Sequence, residues 1–426
     1  MWGALEKIAI RESLPAPLTA GESIHGILIA RQLDRGWHNL HYLGRRRFKP
    51  YLLKQFYSVS TDAFFRWQNE ARFIAVPHTE GFIWPCEEWR GGLISPFPEG
   101  VLLDSWLEKD AHSLEERLAV TSLLAHEIAR LHSSGIAHRG LSPTCIRIEE
   151  QEVVITDFGY ARCDEWDDLW TDSALPAGNK ACVSPEMLRG EDGGFHEDVY
   201  AFGTILHLLL SGKTAFGFIK QVLRRVIPSH VAPDGIPKMT DVPHQVQELA
   251  SACLSPNPSQ RPTIDNAVSI LDGFYGRESA KTENVSIPTD DTTGVNKRKV
   301  MVFIKDDNRA VSLFDAVLRK ASKEPSVFLF IGLIPNNLPS GHAERFKGSL
   351  FKKLGQGLIR CRAKNLVWSL RVFENTDPER TALELVNQYQ PDLILLGKSD
   401  KKRGKMAIRR GFQEVFASND IQISSY

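Results

Sequence analysis

This 426-residue chain lacks several things. No apolar run approaches the ~20 residues of a membrane-spanning helix, so no membrane segment is expected. The first residues have no basic stretch leading into an apolar one, so no secretory signal is read there. Cysteine is sparse. The six, Cys86, Cys145, Cys163, Cys182, Cys253 and Cys361, show no metal-ligand spacing, which excludes a zinc ribbon and a disulfide scaffold. These absences point to a reducing, cytoplasmic setting. Net charge is missing too: 52 basic side chains balance 52 acidic ones, which argues against whole-chain nucleic-acid binding. There is no internal repeat and no low-complexity tract.

What is present is globular. Apolar residues make up 42% and charged residues 24%, and the length corresponds to about three folding units. Charge is divided unevenly. Residues 301–426 carry 21 basic and 13 acidic side chains, and residues 1–300 carry the remaining 31 and 39. Two units that dock on each other, acidic on basic, are one reading of that split; a protein partner is another.

Residues 1–26 read as a leader. Tyr51–Phe56 reads as a strand containing Lys54, and Phe64–Ile74 as a helix ended by Pro77. Ser113 and Glu116 form a capping-box pattern ahead of Val120, Leu123, Leu124, Ile128 and Leu131 at helical spacing. Ile146–Ile148 and Val153–Ile155 read as a strand pair. Asp198–Leu210 is apolar nearly all round, so it belongs inside a domain, with Gly212 as its stop. Residues 277–299, without an aromatic and rich in Thr, Ser, Asp, Glu and Lys, read as a flexible linker. After it, buried strands at Val300–Ile304, Val327–Ile331, Leu366–Leu370 and Leu393–Leu396 alternate with helices, which implies a parallel α/β sheet.

Five motifs occur in order across roughly residues 27–272: His138-Arg-Gly-Leu-Ser-Pro-Thr-Cys145, Asp157-Phe-Gly159, Ser184-Pro-Glu186, Asp198-Val-Tyr-Ala-Phe-Gly203 and Arg261-Pro-Thr263. In that order and spacing they resemble the protein kinase family. The resemblance implies a bilobal α+β domain over 27–276. It also implies ATP and Mg²⁺ as cofactors, with Lys54 on the nucleotide's inner phosphates, Glu70 holding that lysine, and Asp157 on the metal. It makes Glu186–Arg261 an ion pair tying down the activation segment, and Asp198 an anchor for the catalytic-loop backbone. His138 and Arg139 become packing and hydrogen-bonding residues of that loop.

The departures from the family pattern concern catalysis. Gly140 stands where an aspartate would orient the substrate hydroxyl, and residues 128–148 contain no Asp or Glu to replace it. Ser142 replaces the lysine that neutralises the transferring phosphoryl group. Cys145 replaces an asparagine ligand of the second magnesium, and sulfur suits that hard ion badly. The glycine-rich loop keeps only Gly36, followed by bulky Trp37 and His38. A positioned proton acceptor alone is worth ~10²–10⁴ in rate, so three lost roles together imply a pseudokinase. The alternative is an atypical active serine/threonine kinase. The acidic segment Cys163–Trp170 offers Trp166 and Trp170 as anchors for a docking partner.

The layout of residues 300–426 is similar to the universal stress protein family. A strand leads into Lys305-Asp-Asp307, and Gln390-Pro-Asp-Leu-Ile-Leu-Leu-Gly397 resembles that family's last strand and phosphate-loop entry. Asp400 stands where a second loop glycine belongs, and Gly411 falls one residue late. The loop is instead basic: Lys398, Lys401, Lys402, Arg403 and Lys405, then Arg409 and Arg410. An anion site, or a surface for the acidic half, is the functional reading. No aromatics interleave with this run, as single-stranded nucleic acid would require. The expectation is a two-part signalling protein, a nucleotide sensor or scaffold with a stress-protein-like output domain.

Overall fold

A computed structural model describes residues 16–35, 39–56, 61–89, 91–109, 112–149, 152–166, 170–171, 182–189, 191, 193–213, 215, 239, 241–275, 285, 297–304, 310–364, 366–396 and 422–425. The first lobe is a six-stranded sheet ordered β1-β2-β3-β4-β7-β6. Its strands are β1 (Ser23–Ile24), β2 (Ile27–Arg35), β3 (Asn39–Arg46), β4 (Lys49–Phe56), β6 (Glu87–Trp89) and β7 (Gly92–Pro96), with β5 (Phe82–Ile83) belonging to another sheet. Alternation of Ile27, Ile29, Leu40, Tyr42, Leu53 and Ile94 places one apolar face inward. Helix α1 (Thr61–Arg72) crosses this lobe, and a single 3₁₀ turn, Phe73–Ala75, follows it.

Residues 16–26 are not a separate leader. Gln55 Nε2 donates to the Ala16 carbonyl at 2.8 Å, Leu18 N–H donates to the Tyr42 hydroxyl at 3.1 Å, and β1 pairs with β2. The sequence gives no period long enough to show a two-residue strand.

The second lobe is mainly helical. β8 (Val101–Leu102) leads into α2 (Leu103–Lys109) and α3 (Leu114–Ser133). Ser113 caps α3 as its sequence implies. Glu116 N–H donates to Ser113 Oγ at 3.2 Å, and Ser113 N–H donates to Glu116 Oε2 at 2.7 Å. Then come β9 (Ile136–Ala137), β10 (Ile146–Glu149), β11 (Glu152–Thr156), β12 (Arg162–Cys163), β13 (Trp170–Thr171), α4 (Pro185–Leu188), α5 (Gly194–Ser211), α6 (His244–Cys253) and α7 (Ile264–Tyr275). Helix α5 is buried on all sides, and Gly212 ends it at φ +68°, a conformation a side chain would strain.

The third unit is a parallel sheet formed by β14 (Arg298–Ile304), β15 (Ser326–Pro335), β16 (Trp368–Thr376), β17 (Leu393–Leu396) and β18 (Gln422–Ser425), with β13 joined at its edge, ordered β13-β16-β15-β14-β17-β18. Helices α8 (Ala310–Ala321), α9 (Ser340–Arg362) and α10 (Pro378–Tyr389) connect them. Every strand pair is parallel, so both faces need cover. One face packs Phe314, Leu350, Leu354 and Leu358, and the other Ala382, Leu385 and Val386. Gly357 allows a close approach here: a Cβ there would fall 2.1 Å from the Phe314 ring.

The linker reading needs two corrections. Val285 is buried in the second lobe's core, where its N–H donates to Ser134 Oγ at 2.9 Å. The first sheet strand starts at Arg298, inside the stretch read as linker. Gly36, with Trp37 and His38, lies outside the described residues, as do Lys398, Lys401, Lys402, Arg403 and Lys405. All six cysteines are free thiols. Among the described residues, no helix is long and apolar enough to cross a membrane.

Candidate functional site: a kinase-like cleft

The cleft between the two lobes collects the motif residues. Lys54 projects from the middle of β4, paired on either side by His41 and Leu93. Its Nζ donates to both carboxylate oxygens of Glu70 on α1, at 2.7 and 2.9 Å, and to Asp157 Oδ1 at 2.7 Å. Lys54 and Glu70 are almost wholly buried, whereas the Asp157 side chain is 40% exposed. Burial works against the Lys54 charge, but Asp157 and Glu70 beside it prevail and raise its pKa. Desolvation also opposes the Asp157 charge, yet Lys54 and Arg66 hold its carboxyl well below the usual carboxylate range. Asp157 sits at φ +72°, a left-handed conformation uncommon outside glycine.

Asp198, wholly buried on α5, accepts from the backbone N–H groups of His138 and Arg139, both at 2.7 Å, and faces His132 Nε2 at 3.0 Å. His138 Nε2 lies 3.0 Å from the Thr156 carbonyl, and Gly140 N–H donates to His138 Nδ1 at 3.3 Å. Burial lowers the His138 pKa, which favours the neutral ring this pattern needs. Farther down, Arg261 forks onto Glu186 at 2.5 and 2.8 Å, both nearly inaccessible to water. Every charged pair the motifs imply is therefore assembled.

The catalytic-loop positions behave differently. Ser142 Oγ pairs with Thr144 Oγ1 at 2.9 Å, within the loop. Cys145 donates to the Ser142 carbonyl at 3.2 Å and accepts from Ser142 N–H at 3.3 Å. Burial pushes its thiol up to about 12, so it stays a neutral, weak donor. Gly140 faces the ring of Tyr160; a Cβ on Gly140 would lie 3.1 Å from Tyr160 Cδ2.

The sequence reading missed Tyr160 and the side chains that hold it. The Arg66 guanidinium stacks 4.5 Å from the Tyr160 ring centre and reaches Asp157 Oδ2 at 3.4 Å. The Tyr160 hydroxyl donates to the Asp62 carboxylate at 3.3 Å. Asn69 Nδ2 donates to the carbonyls of Gly159 at 3.2 Å and Ala161 at 2.6 Å. Asp62, Arg66, Asn69 and Glu70 fall on one face of α1, and that spacing was the available signal. Trp166 is turned inward, against Phe73 at 4.9 Å and Arg72 at 4.8 Å, and is no free docking anchor.

A two-magnesium site does not fit this donor set. Both Asp157 oxygens already face cations of the chain, and the second ligand position holds a neutral thiol. Among the described residues, no group of three or more His, Cys, Asp or Glu side chains could hold a metal.

Comparison with known proteins agrees with this geometry. The protein kinase domain family matches residues 91–270. A serine/threonine-protein kinase of Corynebacterium efficiens is 28% identical over 222 residues, covering 49% of this chain and 42% of that protein. The serine/threonine-protein kinase PkaA of Streptomyces coelicolor is 30% identical over 151 residues, 34% of this chain and 27% of the relative. The probable serine/threonine-protein kinase PkwA of Thermomonospora curvata is 30% identical over 140 residues, 33% and 18% respectively. The chain thus spans less than half the length of these relatives. Residues 91–270 are thus similar to the protein kinase domain, and in sequence to serine/threonine kinases.

Proposed function

We propose that this protein is a pseudokinase: a kinase body used for recognition and signalling, joined to an α/β domain of universal stress protein type. The observation that carries the reading is Gly140 with Tyr160 packed against it. The family's proton acceptor is absent, and an aromatic ring held by Asp62 and Arg66 crowds the space beside its backbone. Phosphoryl transfer depends on positioned charges and metal ligands, and the chain lacks a family group at 140, 142 and 145 together. The charged groups that remain, Glu70 and Asp157, each pair with Lys54 and suit a nucleotide-sensing or scaffolding cleft. Support for the stress-protein likeness is the parallel order β16-β15-β14-β17-β18 within the sheet that β13 extends, with helices covering both faces.

The test is label transfer. Purified protein incubated with γ-labelled ATP and magnesium is expected to transfer none to itself or to a general acceptor. Transfer that disappears in Asp157→Ala would instead establish an atypical active kinase.

A further inference from the structure

Helix α1 has two working faces. One carries Asp62, Arg66, Asn69 and Glu70 against the 157–161 segment and Lys54. The opposite one carries Phe64, Trp67 and Gln68, and it meets the C-terminal domain. Phe64 stacks on Phe351 of α9, ring centres 4.5 Å apart and planes 4° from parallel. The Trp67 ring passes 3.6 Å from where a Cβ on Gly355 would stand. Gln68 Oε1 accepts from Arg362 Nη1 at 3.0 Å, and the same guanidinium forks onto Glu88 of β6 at 2.6 and 3.0 Å. Phe64 and Phe65 belong to the same apolar cluster as Val302, Phe328, Leu354 and Leu358, the core of the C-terminal sheet. A second connection reaches the activation segment: β13 pairs in parallel with β16, Trp170 beside Arg371 and Thr171 beside Val372.

We propose that the C-terminal α/β domain is the in-cis docking partner of α1 and holds the pseudo-active cleft in its assembled form. A helix moves as a rigid rod. Side chains on one face fix its depth and rotation, and Glu70 and Arg66 on the other face follow. Whatever loosens α9 from α1 therefore withdraws Glu70 from Lys54 and Arg66 from Tyr160. An occupant of the C-terminal domain that shifts α9 is read out at the cleft, and an occupant of the cleft is felt at α9, since coupling is reciprocal. The coupling rests on the kinase-like cleft and not on its catalytic state, so label transfer and the experiment below fail independently.

Hydrogen–deuterium exchange on the full-length chain, without nucleotide, tests it. Arg362→Ala and Phe351→Ala are expected to speed exchange at residues 61–72 and at 157–161 together, on the order of tenfold. Helix α5, remote from the contact, keeps its wild-type rate. At the other end, Tyr160→Ala speeds exchange at 340–362. Should Phe351→Ala unfold the C-terminal sheet, read as lost protection in β14, residues 157–161 must still loosen. Wild-type protection at 157–161 in the Arg362 and Phe351 variants, whatever happens at 61–72, overturns the proposal.

Discussion

Asn69 reaches from α1 to the Ala161 carbonyl at 2.6 Å, just past Tyr160, and so fixes the backbone that sets the Tyr160 ring against Gly140. The ring's fit at Gly140 is close but not prohibitive. Gly140 does not adopt a positive φ, so a side chain is allowed there by the backbone. The obstacle is the 3.1 Å approach of Tyr160. Gly140→Asp should therefore lower stability by about 1–3 kcal/mol through overpacking. Tyr160→Ala alone opens a cavity and also costs stability. Combined, the two should cost less than their sum by ~0.5–3 kcal/mol, because each relieves the other. Urea unfolding of the four proteins measures the cycle; additivity would mean the ring does not press on position 140. Gly140→Asp should remain silent in label transfer, since Ser142 and Cys145 are unchanged.

Magnesium should be dispensable. Lys54 and Arg66 already neutralise Asp157 from both oxygens. Melting temperature in magnesium alone should equal that in excess EDTA, and any shift caused by ATP should be the same in both. An ATP shift that needs the metal would show that Arg66 yields its place.

The motif side chains were legible in the sequence because each has one partner that the fold dictates. Asp198 meets the backbone of 138–139, and Glu186 meets Arg261, wherever those five segments occur in order. The amphipathic pattern of α3 and the parallel α/β alternation were legible for the same reason: a single burial period governs them. Tyr160 and Arg66 were not, since neither is a motif residue; the polar residues of α1 besides Glu70 carry no signal of the Asp157 segment they face. The second partner of α1 lies about 290 residues away in sequence, and no periodicity carries information over that distance. Phe64 and Trp67 look like ordinary core residues, and only the fold shows whose core they join.

The Glu186–Arg261 pair should be essential to the second lobe. Arg261 also donates to the carbonyls of Ser255 and His196, both at 2.9 Å, and its guanidinium lies over Tyr200. Arg261→Ala leaves Glu186 charged, buried and unpaired. The expected loss is roughly 3–5 kcal/mol, read as a lower unfolding midpoint in urea. Glu186→Gln, which keeps the shape and part of the hydrogen bonding, should lose less. Equal losses would mean that packing, not charge, is what Arg261 supplies.

Glu127 on α3 gives the chain a pH signature. Burial raises its pKa to about 7, against the opposing pull of Arg130 at 2.7 Å. Its unfolded value is near 4.5, so between these limits the folded state holds a proton that the unfolded state has released. The contribution of Glu127 to stability then falls as pH rises from about 4.5 to about 7, by up to ~3 kcal/mol, and levels off above. Glu127→Gln has no proton to lose and should flatten that part of the profile. Unfolding midpoints of both proteins across this range decide the matter: an unchanged slope in the variant would assign the pH dependence to another group.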